Sequence, residues 1–244
     1  MFFFTRKKRL VVDCFTYNKA AYEVFKIDYA KKFIPDWWKK LPVALPRENH
    51  PTDMTQTTMK GCPGFIDYYR TGIIIPLWTD ALIEVGPIGS TFLRVAFADQ
   101  TTDAKQHPEE QRGDFLPDKE YCQIKFDSPW LFKTKEQINW IMMKPFWNYK
   151  NPTEFIAATG CLNFHYQHST NINIFIPRKP QTNIINLTAG IPMAHIIPQT
   201  DRKIELRHHL LDKYQYEIKA NQSYRFGFIN SYNRFVGLKK QMRD

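Results

Sequence analysis

Cysteine is sparse and scattered in this chain of 244 residues: Cys14, Cys62, Cys122 and Cys161 stand 39 to 60 positions apart. A structural zinc site needs close cysteine pairs, because one turn must offer two thiolates to one ion. That spacing is absent. A cytosolic chain of this size needs no disulfides, so reduced and mostly buried thiols are expected. Glycine is also scarce, at 10 residues. There is no phosphate-cradling loop, no G-x-S-x-G elbow, no H-E-x-x-H helix and no dinucleotide fingerprint. No apolar run approaches the roughly 18 to 20 residues that span a bilayer, so no membrane association is expected. The opening MFFFTRKKRLVVDCF is basic like the start of a secretory signal. Asp13 breaks its apolar run, however, and no small-residue cleavage site follows. The chain is read as staying in the cytoplasm.

What is present is aromatic and basic. Aromatic residues make up 15% of the chain, too many for a disordered polypeptide. The formal charge of +10 is unevenly placed. Residues 1–40 hold ten Lys/Arg and four Asp/Glu, and residues 201–244 hold ten and five, whereas 41–200 hold fourteen and fifteen. The body is neutral and both ends are basic. Arg6, Lys7, Lys8, Arg9, Lys239, Lys240 and Arg243 form the densest pieces and are candidate contacts for an acidic protein face or for nucleic acid. Sequence-specific readout is not expected, because no recognition helix or aromatic platform accompanies them.

Strand patterns dominate. Residues 9–17 are β-branched and aromatic. Residues 73–86 and 90–98 read as two strands joined by a turn at GPIG. After position 120 the rhythm is all β, over 120–134, 138–146, 153–166, 171–178, 182–187 and 192–198. In NINIFIP, Ile172, Ile174 and Ile176 fall on one face. Short helices are expected near 30–40, at 62–71 after Pro63, and in the last 40 residues, where the middle of 205–221 favours helix. Residues 43–60 and 99–119 read as loop. The fold class is therefore mainly β: a sandwich or jelly roll, or a distorted barrel, with a few short helices. Residues 1–200 read as one β-rich domain with an N-terminal extension. Residues 201–244 read as a basic, partly helical segment packed on it or trailing from it.

Histidine is the main candidate for chemistry. In NLTAGIPMAHIIP, Gly190 supplies a tight turn and Pro192 begins a strand. Met193, His195 and Ile197 then project to one side, and Ala194 and Ile196 to the other. A single imidazole in such a run is expected to be a satisfied core histidine. His165 and His168 are three apart and face opposite sides of a strand unless a turn intervenes, so no shared metal is expected. The position where an iron oxygenase would carry a carboxylate is Gln167. Asp80, beside Trp78, is the acid most suspect of a role, against the plainer reading of a strand-end carboxylate. Most tryptophans are expected in the core. Trp37 and Trp38 are adjacent and cannot both point inward, so one is a candidate for a surface contact. No cofactor or metal is implied.

Several segments together carry a resemblance: FIPDWWKKLP, CPGFIDYYRTGIIIPLWTD, SPWLFKT…INWIMMKPF and INIFIP…AGIPMAHIIP. In this order they resemble a family of uncharacterised proteins of large tailed phages, cyanobacterial phages among them, and of some bacteria. The resemblance spans about residues 24–200. It implies a phage-encoded protein in an infected bacterium, and no activity. A second similarity is to dUTPase-like β folds, where Ala189-Gly190 before PMAHIIP matches a strand–turn–strand. The region matching their catalytic aspartate, CLNFHYQHS, has no acid. Cupin-like jelly rolls are a comparable similarity without the metal ligands.

Three functions are therefore carried forward. The first is a phage protein acting by contacts with phage or host proteins or with itself, in the infected cytoplasm or in the virion. The second is a metal-dependent or nucleotide-binding β-fold enzyme with a site near His165, His168 and His195. The third is a non-specific nucleic-acid-associated protein using its basic ends.

Overall fold

The computed structural model describes residues 8–46, 55–99 and 102–221, and three single positions beyond them. Of the basic candidates, Arg6, Lys7, Lys239, Lys240 and Arg243 lie outside the described residues. The strands are β1 (Leu10–Thr16), β2 (Asp28–Tyr29), β3 (Ala44–Pro46), β4 (Thr55–Thr57), β5 (Ile73–Pro76), β6 (Ala81–Val85), β7 (Leu93–Phe97) and β8 (Ala104–Gln106). They continue as β9 (Tyr121–Lys133), β10 (Trp140–Met143), β11 (Ile156–Ala157), β12 (Gly160–Leu162), β13 (Ser169–Pro177), β14 (Asn183–Leu187), β15 (Pro192–Pro198) and β16 (Ile204–Leu210). The α-helices are α1 (Lys19–Glu23), α2 (Asp36–Lys40) and α3 (Pro63–Arg70), and residues 213–221 are also helical.

The chain is mainly β. One sheet runs β11-β13-β9-β1-β16 with β8 on β9, and a second runs β12-β10-β15-β5-β2. A third runs β14-β6-β7, and β3 pairs with β4 alone. None closes into a barrel. The three larger sheets turn their apolar faces to one core that includes Val12, Ile83, Ile124, Trp130, Trp140, Ile174 and Ile196. β1 alternates strictly between buried and half-buried positions, as a one-sided strand should.

β5 and β15 differ from β1. All four β5 residues are buried, because both faces of this pair are covered. Ile73 and Ile75 enter the main core, whereas Ile74 enters a second cluster with Ala30, Phe65 and Tyr69. A layer of short helices, formed by Ala30–Phe33, α2 and α3, therefore caps the outer face of the second sheet. Pro63 sits in the first turn of α3, where its missing N–H costs no hydrogen bond.

Several expectations are refined by this topology. Residues 73–86 form two strands in different sheets, with a turn at 77–80 between them. Residues 153–166 likewise cross from the first sheet to the second, and 163–168 is a turn. The middle of 205–221 is preceded by strand: β16 lies parallel to β1, Leu10 opposite Ile204, and helix begins only after Asp212, whose carboxylate accepts from the Gln215 N–H. Residues 104–106, expected as loop, add a short strand to β9. Met193 does not share the His195 face. The register shifts between Pro192 and Ala194, and this irregularity places Met193 in the main core beside Ala194 and Ile196.

Gly72 joins α3 to β5 with φ +84°, and an added Cβ would meet the Ile196 carbonyl oxygen at 2.4 Å. Gly89, at φ +82°, faces open space. Gly72→Ala should therefore cost about 3 kcal/mol or more in urea unfolding, from left-handed strain plus collision, and Gly89→Ala about 1–2 kcal/mol from strain alone. Equal losses would contradict the close approach of α3's exit to β15.

Candidate functional site

The candidate site is built on the helical layer. α2 carries Trp37 and Trp38, and its shortness follows from Pro35 before it and Pro42 beyond it. Trp38 is half-buried and stacks on Phe65 of α3, with ring centroids 5.1 Å apart and planes 13° apart. Lys60 Nζ sits 4.6 Å from the Trp38 ring centroid and donates to the Lys39 carbonyl at 2.6 Å. Trp37 turns outward. Its ring meets Phe65 edge-on at 5.5 Å, and its indole N–H donates to the Trp147 carbonyl at 3.0 Å.

Trp147 and Phe146 come from the single turn Phe146–Asn148, some 110 residues away in sequence. Asn148 positions that turn: its side chain accepts from the Tyr69 hydroxyl and donates to the Phe33 carbonyl, both at 2.7 Å. Lys144 fastens the following loop. It donates to the carbonyls of Pro152 and Phe155, and lies 3.6 Å from the Phe155 ring centroid. Burial brings its pKa down to about 8. Tyr149 closes the loop onto β15 through the Pro192 carbonyl at 2.6 Å.

The product is a fixed face of exposed aromatic rings. Trp37 is 43% exposed, Trp147 36% and Phe146 50%, whereas Trp78, Trp130 and Trp140 are at most 1% exposed. Val43, Leu45 and Met59, also exposed, belong to the adjoining β3–β4 corner, where the Met59 carbonyl accepts from the Trp38 indole. A face of this kind offers apolar and aromatic area of the sort found at binding surfaces.

The other candidates lie elsewhere. Trp78 is a core residue whose indole N–H donates to Thr102 Oγ1 at 2.7 Å. Asp80 ties a turn: its carboxylate accepts from the Ala189 N–H at 2.7 Å, beside the Gly190 turn at φ +88°. His195 is fully buried between β15 and the helical layer. It lies opposite Ile74, Tyr68 meets it edge-on at 4.4 Å, and its Nε2 donates to the Thr71 carbonyl at 2.8 Å. His165 and His168 occupy the 163–168 turn. His165 packs edge-on against Tyr166 at 4.6 Å. Burial lowers His168 to about 4, and Lys133 adds to the effect. Among the described residues no three His, Cys, Asp or Glu side chains are grouped to hold a metal ion. Lys8 and Arg9 lie at the start of β1, remote in sequence from these histidines, and are exposed. Among the described residues, no helix is long and apolar enough to cross a membrane.

Phe65, Phe146 and Trp147 were beyond sequence reasoning. The cluster PFWNY at 145–149 was a visible signal, but only the fold brings it to Trp37. No family model matches the chain. No curated protein matches it either.

His195 has a consequence for stability. Burial lowers its pKa from 6.5 to about 4, opposed in part by its bond to Thr71. The unfolded chain therefore binds a proton that the folded one refuses. The stability this neutral ring contributes is complete above pH 6.5 and is lost as pH falls toward 4, at up to about 1.4 kcal/mol per pH unit. His195→Gln should be less stable than wild type at pH 7, and the gap should narrow as pH falls to 4.5. Urea titrations at several pH values check this, and a constant gap would contradict it.

Proposed function

We propose that this is a phage-encoded protein acting by protein–protein contact, as a virion component or as an effector directed at a host protein in the infected cytoplasm. The contact surface is the aromatic face of Trp37, Phe146 and Trp147. The observation that carries this reading is the contrast in exposure. Three large rings are partly exposed on a hydrogen-bonded frame, while the tryptophans of the β body are buried. Tryptophan is the residue most enriched at binding hot spots, and ordering this frame in advance lowers the entropy cost of association. Lys39, paired with Asp36, and Lys40 are exposed beside this face and add positive charge suited to an acidic partner surface. The ordered resemblance of residues 24–200 to phage proteins supports a phage source. The histidine-centred enzyme reading has less in its favour: His165 and His168 are neighbours in one turn, but His195 is packed against Tyr68 and bonded to Thr71 between β15 and the helical layer.

Site-specific photocrosslinking in infected cells tests the proposal. With p-benzoylphenylalanine replacing Phe146, a discrete crosslinked protein should appear, and it should not appear with the same probe replacing the exposed Ile88. Adding Trp37→Ala and Trp147→Ala should remove the product, each truncation costing about 2 kcal/mol of binding. Equal products at 146 and 88, no product at 146, or a product that survives both alanines would contradict it.

A further inference from the structure

The residues just before the first strand and those just before β16 meet in the fold. β1 and β16 are parallel neighbours, so the residues just before each strand leave the sheet at the same end. Arg9 is thereby brought beside Arg202 and Lys203. The Leu10 N–H donates to the Lys203 carbonyl at 2.8 Å, and Arg202 donates to the carbonyls of both Lys8 and Arg9 at 2.7 Å. From the helical layer, Lys31 and Arg70 reach the same place. The result is a cleft of about 680 Å³ lined by five cationic side chains, Arg9, Lys31, Arg70, Arg202 and Lys203, against two acidic ones, Asp67 and Asp201.

These cations are not all used alike. Arg202 is structural: besides the two carbonyls it binds Glu136 at 2.8 Å and holds that carboxyl below its usual range. Arg9 and Arg70 have only loose ion pairs, with Glu205 at 4.0 Å and Asp67 at 3.7 Å, in exposed settings where such pairs contribute little. Arg70 alone would be explained by its place in the last turn of α3, where a cation complements the helix dipole. The convergence of four separate chain segments on one concavity is not explained that way. Like charges crowded around a cleft repel one another, and a bound anion relieves that repulsion.

We propose that this cleft binds a phosphate-bearing ligand, with Arg9, Lys31, Arg70 and Lys203 as its contacts. Guanidinium groups pair with phosphate oxygens in a two-pronged geometry, and lysines add point charge. The cleft is independent of the aromatic face. The phosphate has two possible sources, a free nucleotide or a nucleic-acid backbone.

Binding of ATP and of a fluorescein-labelled oligothymidylate, measured on the full chain, tests the proposal. The triple variant Lys31→Gln, Arg70→Gln, Lys203→Gln should weaken binding by about tenfold or more, because it removes charge-assisted hydrogen bonds. A control with the same charge change at exposed sites outside the cleft, Lys150→Gln, Lys179→Gln, Lys213→Gln, should weaken it less than about twofold. Saturable ATP binding with this pattern identifies a nucleotide site. Oligothymidylate binding with this pattern and no ATP binding identifies a nucleic-acid backbone site. Absence of saturable binding for both probes, equal losses in the two triple variants, or equally good displacement by a glutamate peptide of matching charge would overturn it. All six substitutions are at exposed positions, and matched circular dichroism of the two variants confirms that both are folded.

Discussion

The burial of β5 and β15 on both faces is the constraint from which the rest follows. A strand pair with one apolar face can complete a β body and leave its other face to water. This pair cannot, because Ile74 projects away from the main core, where exposure of its apolar side chain is costly, and His195 beside it is held neutral by burial. A second layer must cover them. The chain supplies it with short helices anchored by Phe65, Tyr69 and Ala30, and held through the Thr71 carbonyl and the close approach of Gly72. Once that layer is seated, its inner aromatics are consumed as core and its outer ones are left facing solvent.

The aromatic face is therefore a by-product of architecture only in part. A helical cap needs Phe65 and Trp38 on the sheet side. Trp37 and Trp147 cover Phe65 with one edge each, but the cap does not need their outer surfaces or Phe146 in solvent, nor the Tyr69–Asn148–Phe33 hydrogen-bond bridge that fixes the turn carrying two of the rings. Exposed rings on a fixed frame are costly in solution, and their burial against a partner recovers that cost. At the other end of the same layer, Lys31 and Arg70 meet the arginines and lysine that precede β1 and β16. The layer thus borders two surfaces of different chemistry, one apolar and one cationic.

Strand identity was legible from residue pattern wherever one face was buried: Ile172, Ile174 and Ile176 announce β13, and the GPIG turn announces the β6–β7 hairpin. Pattern failed where chains change sheets. Residues 73–86 look like one long strand because both pieces are apolar, and nothing in their periodicity marks the passage between sheets at Leu77–Asp80. The crossing at 157–160 is hidden for the same reason. Half of the candidate site was visible, since two adjacent tryptophans cannot share an interior. The other half was not, because Trp147 reaches Trp37 only through tertiary packing. The cationic cleft was hidden too: the positive charge of residues 1–40 and 201–244 was plain, but the meeting of Arg9 with Arg202 and Lys203 depends on a parallel pairing between the first strand and β16, which no local signal encodes.

If the helical layer is an obligatory cover, it and the strands beneath it must open together. Native-state hydrogen exchange measures this directly. The account predicts that the amides of α3 and those of β5 and β15 share one high opening free energy, close to that of global unfolding. Rapid exchange throughout α3 while β5 and β15 stay protected would show that the layer is dispensable, and would contradict the account.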